Sequence, residues 1–377
     1  MNYVALAIVF AIALVVCAFT LRRWRTLRNE RYGKWRRIGE RVVLTGVSVF
    51  VLAVFASTAF NAIATEYYWA KHPVPGRIYV VDGHKMHLYC TGAGSPTIIL
   101  DAGLGNDWTI WGKVQPELSK TTRVCSYDRA GFGWSDATAG PQDANHIADQ
   151  LHGLLEQAGI TGPIVLMGHS ISGIYIRTYT SRYPRNVAGL VFVDGSTPLQ
   201  EDHFPADLQA YMNKTEALAF FAGRVMIPLG ALRDTRQCSE TQPGFPPAAG
   251  KMLAEDTCNL SISAAKEEMD NFRKSGEETV HTGPYGDLPI LIFSQDPNRP
   301  ATQISPQFAK ELAVIWNEMQ EDLKHLSTRS RRIIARGSSH YVQVDRADLI
   351  NREVPIFIQQ IRGAAPQPTD YGTTKTE

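Results

Sequence analysis

One serine in the middle of the chain stands in a setting that favours nucleophilic chemistry. Ser170 is the third residue of the hexapeptide Gly-His-Ser-Ile-Ser-Gly, residues 168–173, which follows an apolar run and precedes a helix-compatible stretch. A strand that turns sharply into a helix exposes one side chain and directs the helix's free N–H groups toward it. Ser170 is therefore the candidate nucleophile for attack on a carbonyl carbon.

The hexapeptide departs in one place from the pattern Gly-x-Ser-x-Gly. Ser172 occupies the position of the second glycine, and Gly173 follows one residue late. Both Gly168 and Ser172 are small, as a sharp turn requires. A second interpretation stays open, in which the hexapeptide is only a glycine-containing loop with a helix-capping serine.

A glycine-containing segment upstream supplies a candidate for stabilising the anion that such an attack creates. Residues 97–100 form a short apolar run that breaks into residues 101–105, where glycine recurs. Backbone N–H groups aimed at the developing oxyanion stabilise the tetrahedral intermediate. We expect the N–H groups of Leu104 and of Ile171 to be these donors. The alternative is that residues 101–105 form an ordinary glycine turn.

These segments, in this order, resemble the α/β-hydrolase superfamily. The resemblance covers about residues 76–362 and is densest at 101–105, 127–135, 168–173, 191–194 and 338–340. It implies an α/β fold with a mostly parallel central sheet flanked by helices, and a helical lid inserted after the sixth strand, at about 195–287. It also implies a catalytic triad in the order serine, acid, histidine. Asp101 departs from the pattern, since many members carry histidine there.

A histidine near the C-terminal end of the domain is the candidate base. His340 follows an apolar run that reads as the last strand and a flexible turn at residues 337–339. Imidazole titrates near neutral pH, so His340 could accept the proton of Ser170. A solvent-facing loop histidine is the alternative. His169, beside the nucleophile, is predicted to be structural.

The acid of the triad has two candidates. Asp296 follows the strand after the lid, which is the usual position in the superfamily, and is the preferred prediction. Asp194 ends the preceding strand, where some lipases carry their acid, and is the alternative. Either could orient His340 and stabilise its imidazolium form. Both could instead be structural, Asp296 in a turn and Asp194 in a strand-end hydrogen bond.

The N-terminal segment predicts a membrane anchor with two transmembrane helices. Residues 3–20 and 42–64 are uncharged runs that would form helices about 27 and 34 Å long. Between them, residues 21–41 hold nine Lys or Arg against two Glu. Positively charged loops between transmembrane helices tend to stay in the cytoplasm. Because the second helix crosses the plasma (inner) membrane again, the domain after it is expected on the extracytoplasmic side. One run could instead be a cleaved signal or a buried core helix.

The remaining organisation follows from composition. We expect an anchor at 1–66 with a basic loop at 21–41, a linker at 67–76, a hydrolase domain at 77–363 and a polar, disordered tail at 364–377. Asp82 and Gly83 predict a hairpin between the first two strands. Cys238 and Cys258 form either a disulfide or two free thiols, while Cys90 and Cys125 lie at the ends of core strands.

The predicted function is that of a membrane-anchored serine hydrolase. It would cleave a carboxylic ester, lipid-like or small and apolar, through an acyl-enzyme, with no cofactor and no metal. Outside residues 21–41 acidic residues outnumber basic ones, which argues against a nucleic-acid partner. Membrane lipids are the expected partners beside the substrate. Two alternatives remain: a catalytically silent module that binds a lipid or a partner, and a peptidase or amidase of the same fold.

Overall fold

The computed structural model describes residues 3–28, 33–138, 140–238, 245–259, 262–299 and 304–377. The chain divides into two compact units. The N-terminal unit comprises Met1–Pro73, Leu218–Thr241 and Ala254–Asn259, and the sheet unit comprises Val74–Ala217, Gln242–Leu253 and Leu260–Glu377.

The sheet unit contains one sheet with nine strands in the described residues. They are β1 Arg77–Val81, β2 His84–Thr91, β3 Thr97–Asp101, β4 Val124–Tyr127, β5 Ile164–His169, β6 Val187–Val193, β7 Ile290–Ser294, β8 Ser330–Ile334 and β9 Thr374–Thr376. Their spatial order is β1-β2-β4-β3-β5-β6-β7-β8-β9. Strand β2 runs antiparallel to β1 and β4, and the other pairs are parallel. The prediction of an α/β fold with a mostly parallel sheet is confirmed.

The α-helices of the described residues precede the sheet or connect its strands. They are α1 Tyr3–Leu27, α2 Lys34–Lys71, α3 Gln115–Leu118, α4 Ala144–Gln157, α5 Ser172–Arg182, α6 Ala206–Met226, α7 Ala231–Asp234, α8 Pro247–Asn259, α9 Ile262–Asp270, α10 Phe272–Thr279, α11 Pro306–Asp322, α12 Val342–Asp345 and α13 Ala347–Ile361. Helices α6 to α10 fall between β6 and β7 in the chain, the interval predicted for a lid. That they cover the site stays a prediction.

The central strands are apolar on both faces, because helices pack on both sides of the sheet. Successive residues of a strand point to opposite faces. Ile98 and Leu100 of β3 accordingly pack in one cluster with Phe357 of α13. Ile99, between them, packs in a second cluster with Tyr179 of α5. Such two-sided burial is typical of parallel sheets, whose crossover helices cover both faces.

One edge of the sheet collects the residues that the sequence singled out for chemistry. Ser170 follows β5, Asp194 follows β6, Asp296 comes after β7, and His340 lies in the loop after β8. These four strands are parallel neighbours, so their carboxyl ends lie along the same edge. Ligand sites of open α/β sheets lie outside these strand ends.

The predicted hairpin at Asp82 and Gly83 is confirmed. These residues lie between the antiparallel strands β1 and β2, and their φ angles are 48° and 82°. Positive φ at both central positions is typical of a two-residue turn whose twist matches the paired strands. Asp82 and Gly83 both tolerate this conformation better than most residues.

The expectation of a disordered tail at residues 364–377 was wrong for its last part. Strand β9 pairs with β8, and the N–H of Glu377 donates to Ile334 O at 3.0 Å. Arg346 also donates from Nη1 to the carbonyl of Glu377 at 2.9 Å. Backbone hydrogen bonds to an open sheet edge hold this polar segment, and composition does not signal such bonds.

The N-terminal helices are longer than the predicted spans at 3–20 and 42–64. Helices α1 and α2 are each long and apolar enough to cross a membrane. They also include most of the basic segment 21–41, which is therefore not the loop that was expected; its residues 29–32 lie outside the described part of the chain. Because α2 continues to Lys71, the expected linker at 67–76 shortens to the residues after that helix.

Two disulfides join four of the cysteines. Cys238 bonds to Cys258, so of the two alternatives for this pair the disulfide is the one present. Cys90 bonds to Cys125, a pairing that the sequence analysis did not predict. The two residues lie directly opposite each other on the antiparallel strands β2 and β4, with their Cα atoms 4.0 Å apart.

Candidate active site

The turn between β5 and α5 places Ser170 in a strained backbone conformation. Its φ angle is 56°, in the left-handed region that residues with a side chain seldom adopt. The Ser170 N–H donates to Val193 O at 3.2 Å, and its carbonyl accepts from the N–H groups of Gly173 and Ser196. These bonds hold the turn, because strain of this kind persists only where the surroundings determine the conformation.

The small residues around Ser170 are required by close packing. A Cβ atom added at Gly168 would lie 2.4 Å from Ser172 Oγ, so Gly168 and Ser172 approach each other across the turn. Glycine is required at position 173 for a different reason. A Cβ there would lie 2.6 Å from Ser196 O in the loop after β6. The serine in place of the second glycine is thus accommodated by Gly168.

His340 lies between Ser170 and Asp194. Its Nε2 atom is 2.9 Å from Ser170 Oγ, and its Nδ1 atom is 2.6 Å from Asp194 Oδ2. A carboxylate accepts, so Nδ1 carries the proton and the lone pair of Nε2 can accept from the serine hydroxyl. Asp194 is buried, and its second oxygen accepts from the Gln295 N–H at 2.9 Å. The three side chains form a continuous hydrogen-bonded chain.

Asp296, the preferred acid in the sequence analysis, does not contact His340. Its Oδ1 accepts from the Asn298 N–H at 2.9 Å, and its Oδ2 accepts from the Gly337 N–H at 2.8 Å. Burial alone would raise the pKa of Asp296, but these hydrogen bonds lower that pKa below its ordinary value. The sequence-based preference is corrected: Asp296 is the turn-forming residue, and the alternative, Asp194, lies beside the histidine.

Of the two predicted oxyanion donors, Ile171 directly follows Ser170, and Leu104 lies on a loop whose Gly103 is close to Ser170. Within the described part of the chain, the N–H groups of Leu104 and Ile171 donate to no protein acceptor. The loop carrying Leu104 comes close to the nucleophile, because a Cβ added at Gly103 would lie 3.2 Å from the Cβ of Ser170. Both N–H groups therefore remain available for a bound oxygen, as an oxyanion hole requires.

His169 hydrogen-bonds to the backbone of His340 and packs beside its ring, which agrees with the structural role predicted for His169. Its Nε2 atom donates to the carbonyl of His340 at 3.1 Å, and the two rings are 4.8 Å apart. Complete burial, with a smaller contribution from His340, lowers the pKa of His169 well below its ordinary value. His169 is therefore neutral. Gly103 leaves the space for this ring, since a Cβ there would lie 2.6 Å from His169 Nδ1.

Arg129 fixes the loop of Leu104, a role that the sequence analysis did not assign. Its buried guanidinium donates to the carbonyls of Ala102 and Gly103 at 2.5 and 2.9 Å. It also pairs with Asp101 at 2.7 Å and with Glu268 of α9 at 2.6 Å. Burial would lower the pKa of Arg129, but the two carboxylates raise that pKa well above its ordinary value.

This network also explains the unusual residue at position 101. Asp101 accepts from Arg129 and takes no part in the bonds around Ser170. An aspartate that ends a buried strand, followed downstream by an arginine after the next strand, was the available signal for the pair. Buried charges are retained where they are paired, so the loop and its charges form one structural element.

The fold agrees with a comparison against known families. The model of the α/β-hydrolase fold family matches residues 96–347. The chain belongs to this family. As an α/β hydrolase it carries its candidate nucleophile, Ser170, after the fifth strand and its candidate base, His340, after the eighth.

Two relatives of this α/β hydrolase are similar to it at 25–31% identity. It is 31% identical over 193 residues to an uncharacterised protein of Schizosaccharomyces pombe, covering 43% of this chain but only 36% of that protein. It is 25% identical over 291 residues to an AB hydrolase superfamily protein of Gibberella zeae, covering 71% and 87% of the two chains. The chain therefore spans about a third of the first relative and most of the second.

A solved structure shows the same fold. A thermophilic esterase from Thermogutta terrifontis, with malate bound, matches with a TM-score of 0.54 and 19% identity. The match covers 76% of this chain and 99% of the esterase. At this identity the similarity concerns the fold alone.

Proposed function

We propose that this α/β hydrolase is a serine hydrolase that cleaves a carboxylic ester through an acyl-enzyme. One observation carries the proposal: Asp194, His340 and Ser170 are joined by hydrogen bonds of 2.6 and 2.9 Å at the carboxyl edge of the sheet. A serine bonded to a histidine, which a buried carboxylate orients, is the arrangement that activates a hydroxyl for attack on a carbonyl.

The reaction follows from the positions of these atoms. Ser170 Oγ attacks the carbonyl carbon while His340 Nε2 takes its proton, and Asp194 stabilises the imidazolium. The N–H groups of Leu104 and Ile171 bind the oxyanion of the tetrahedral intermediate. His340 returns the proton to the departing alcohol. Water then attacks the acyl-enzyme while His340 takes its proton, and His340 returns that proton to Ser170 Oγ as the bond to the acyl group breaks and the acid leaves.

The arrangement favours catalysis over the alternative of a silent binding module. Such a module has no need for a strained serine at φ 56° or for a buried aspartate aligned on the far nitrogen of a histidine. Strain of this kind is concentrated at functional sites. Trp316 packs edge-on against His340, with ring centroids 5.6 Å apart, so an aromatic side chain lies beside the base. This apolar neighbour supports an apolar acyl group in the substrate.

We also propose that α1 and α2 anchor the protein in a membrane with the sheet unit on the extracytoplasmic side. The basic residues of segment 21–41 would stay in the cytoplasm. Two disulfides support this orientation, since disulfides persist in oxidising compartments and are rare in the cytosol. The orientation is tested by alkylating the free thiols of the denatured chain without prior reduction. Modification of Cys17 alone is expected, whereas five modified cysteines would contradict the orientation.

The hydrolase proposal is tested with a fluorophosphonate probe on the full chain in detergent. Wild type should be labelled, and Ser170→Ala and His340→Ala should not. Ser172→Ala is the matched control, because it removes a neighbouring hydroxyl that is buried and has no hydrogen-bond partner within the described residues. An unlabelled but folded wild type would favour the silent module. Parallel assays with matched short esters and amides then separate an esterase from a peptidase or amidase.

A further inference from the structure

Between residues 58 and 65, helix α2 buries its polar side chains and exposes apolar ones. Thr58, Asn61 and Thr65 are buried and lie at helical spacing on one face. On other faces Phe60 is 56% exposed and Ile63 is 68% exposed. A helix in water does the opposite, turning its apolar stripe to the interior. Helices in lipid place polar side chains against protein neighbours, because an unpaired polar group in hydrocarbon is costly.

The neighbour on this polar face is the segment that follows α6. Asn61 Nδ2 donates to Ile227 O at 3.1 Å, and Ser57 Oγ lies 2.6 Å from Leu229 O. The last carbonyls of a helix have no partner within it. Where no water is present, other protein groups must satisfy them. Asn61 of α2 supplies a donor for the Ile227 carbonyl just beyond the end of α6, and the Ser57 hydroxyl lies within hydrogen-bond distance of both Leu229 O and Asp234 Oδ2.

Helix α7 completes the contact through an arginine. Arg233 Nε donates to Asn61 Oδ1 at 2.9 Å, and its Nη2 donates to Thr65 Oγ1 at 3.3 Å. The charge of Arg233 is balanced by an ion pair with Glu255 of α8. Gly230, with φ 85°, allows the turn to approach, since a Cβ there would lie 2.8 Å from Ser57 O. The contact is therefore continuous from Ser57 to Thr65.

The same segment carries exposed apolar side chains. Leu218 is 64% exposed and Phe221 is 68% exposed, and Val225, which follows them at helical spacing, is 43% exposed. These residues are in the N-terminal unit with α2, whose own exposed side chains are apolar. Contiguous exposed apolar side chains on a protein surface mark an interaction site.

We propose that residues 218–234 form a third membrane-contacting element, which docks on the polar face of α2 and inserts Leu218, Phe221 and Val225 among the acyl chains of the bilayer. The proposal rests on the membrane anchor proposed above. The polar contacts with α2 come from residues 227–234 at the end of the segment. The exposed apolar side chains of α6 lie outside these contacts, and in the proposal they face lipid. Apolar area removed from water would stabilise the inserted segment.

Photocrosslinking in native membranes tests this surface on the full chain. Benzoylphenylalanine is placed at Phe221 or Leu218, at Phe60 of α2 as the positive control, and at Glu156, an exposed residue of α4 in the sheet unit, as the negative control. After irradiation, mass spectrometry detects adducts with lipid acyl chains. We expect adducts at positions 60, 218 and 221 and none at position 156.

The outcomes separate the two proposals. Adducts at position 60 without adducts at 218 and 221 would overturn the insertion of the segment and leave the anchor intact. No adduct at position 60 would contradict the anchor itself, and with it the inserted segment. Neither result depends on hydrolase activity, because crosslinking needs no intact triad.

Discussion

The Nδ1 atom of His340 lies 2.6 Å from a carboxylate oxygen of Asp194, a residue 146 positions earlier in the chain. Asp194 follows β6, while the strand after it, β7, leads to Asp296. Each of two neighbouring loops thus carries an aspartate, and of the two only Asp194 hydrogen-bonds to His340. This pairing determines which variant should abolish activity.

Asp194→Asn is expected to reduce ester hydrolysis by about 10⁴-fold, because an amide at this position no longer holds the productive tautomer of the histidine. Asp296→Asn is the matched change on the next loop. The Asp296 carboxylate accepts hydrogen bonds from the N–H groups of Gly337 and Asn298 and none from His340. Activity of this variant should therefore stay within about tenfold of wild type. The measurement is kcat/KM for a short ester. A larger loss in Asp296→Asn would restore that residue as the acid.

Arg129→Met is expected to destabilise the protein by about 3–5 kcal/mol, because it leaves the buried carboxylates of Asp101 and Glu268 without their cation. Arg182→Met is the control. It breaks a solvent-exposed pair with Asp149 and should cost less than about 1 kcal/mol. Both values come from urea unfolding of the full chain in detergent. Equal losses in the two variants would show that the buried network does not stabilise the fold.

Gly168→Ala is expected to disturb the turn, since its methyl group would lie 2.4 Å from Ser172 Oγ. Overpacking of this kind costs about 1–3 kcal/mol. Adding Ser172→Gly removes the opposing side chain and should recover part of the loss, with a coupling of about 1 kcal/mol in a double-mutant cycle. Unfolding free energy and the rate of fluorophosphonate labelling are measured together. Strictly additive effects would mean that the two residues do not compete for this space.

His169 should make stability depend on pH. Burial lowers its pKa in the folded state, so between that pKa and about pH 6.5 only the unfolded chain binds the proton. Stability is then fully present above about pH 6.5 and falls as pH decreases, by up to about 1.4 kcal/mol per pH unit. His169→Gln should remove this part of the slope, while His325→Gln, whose side chain is 80% exposed, should retain it. Unfolding at successive pH values compares the three proteins, and parallel slopes would contradict the prediction.

The nucleophile and the base could be predicted because their signals are local. Ser170 follows an apolar strand and precedes a helix, with small residues at 168 and 172, and that pattern alone specifies a sharp turn. His340 is placed by the same kind of reasoning at the end of the last apolar run. The two apolar runs at the N-terminus are equally local, since length and composition suffice to predict helices α1 and α2.

The acid, the buried arginine and the cross-strand disulfide depend on which strands become neighbours. Asp194 and Asp296 both follow apolar runs, and only the conformation of each loop decides that Asp194 reaches the histidine while Asp296 closes a turn. Arg129 meets Glu268 across 139 residues, and Cys90 meets Cys125 through the register of β2 and β4. Composition and periodicity describe how one segment folds. Contacts between distant segments are set by their packing, which only the tertiary structure decides.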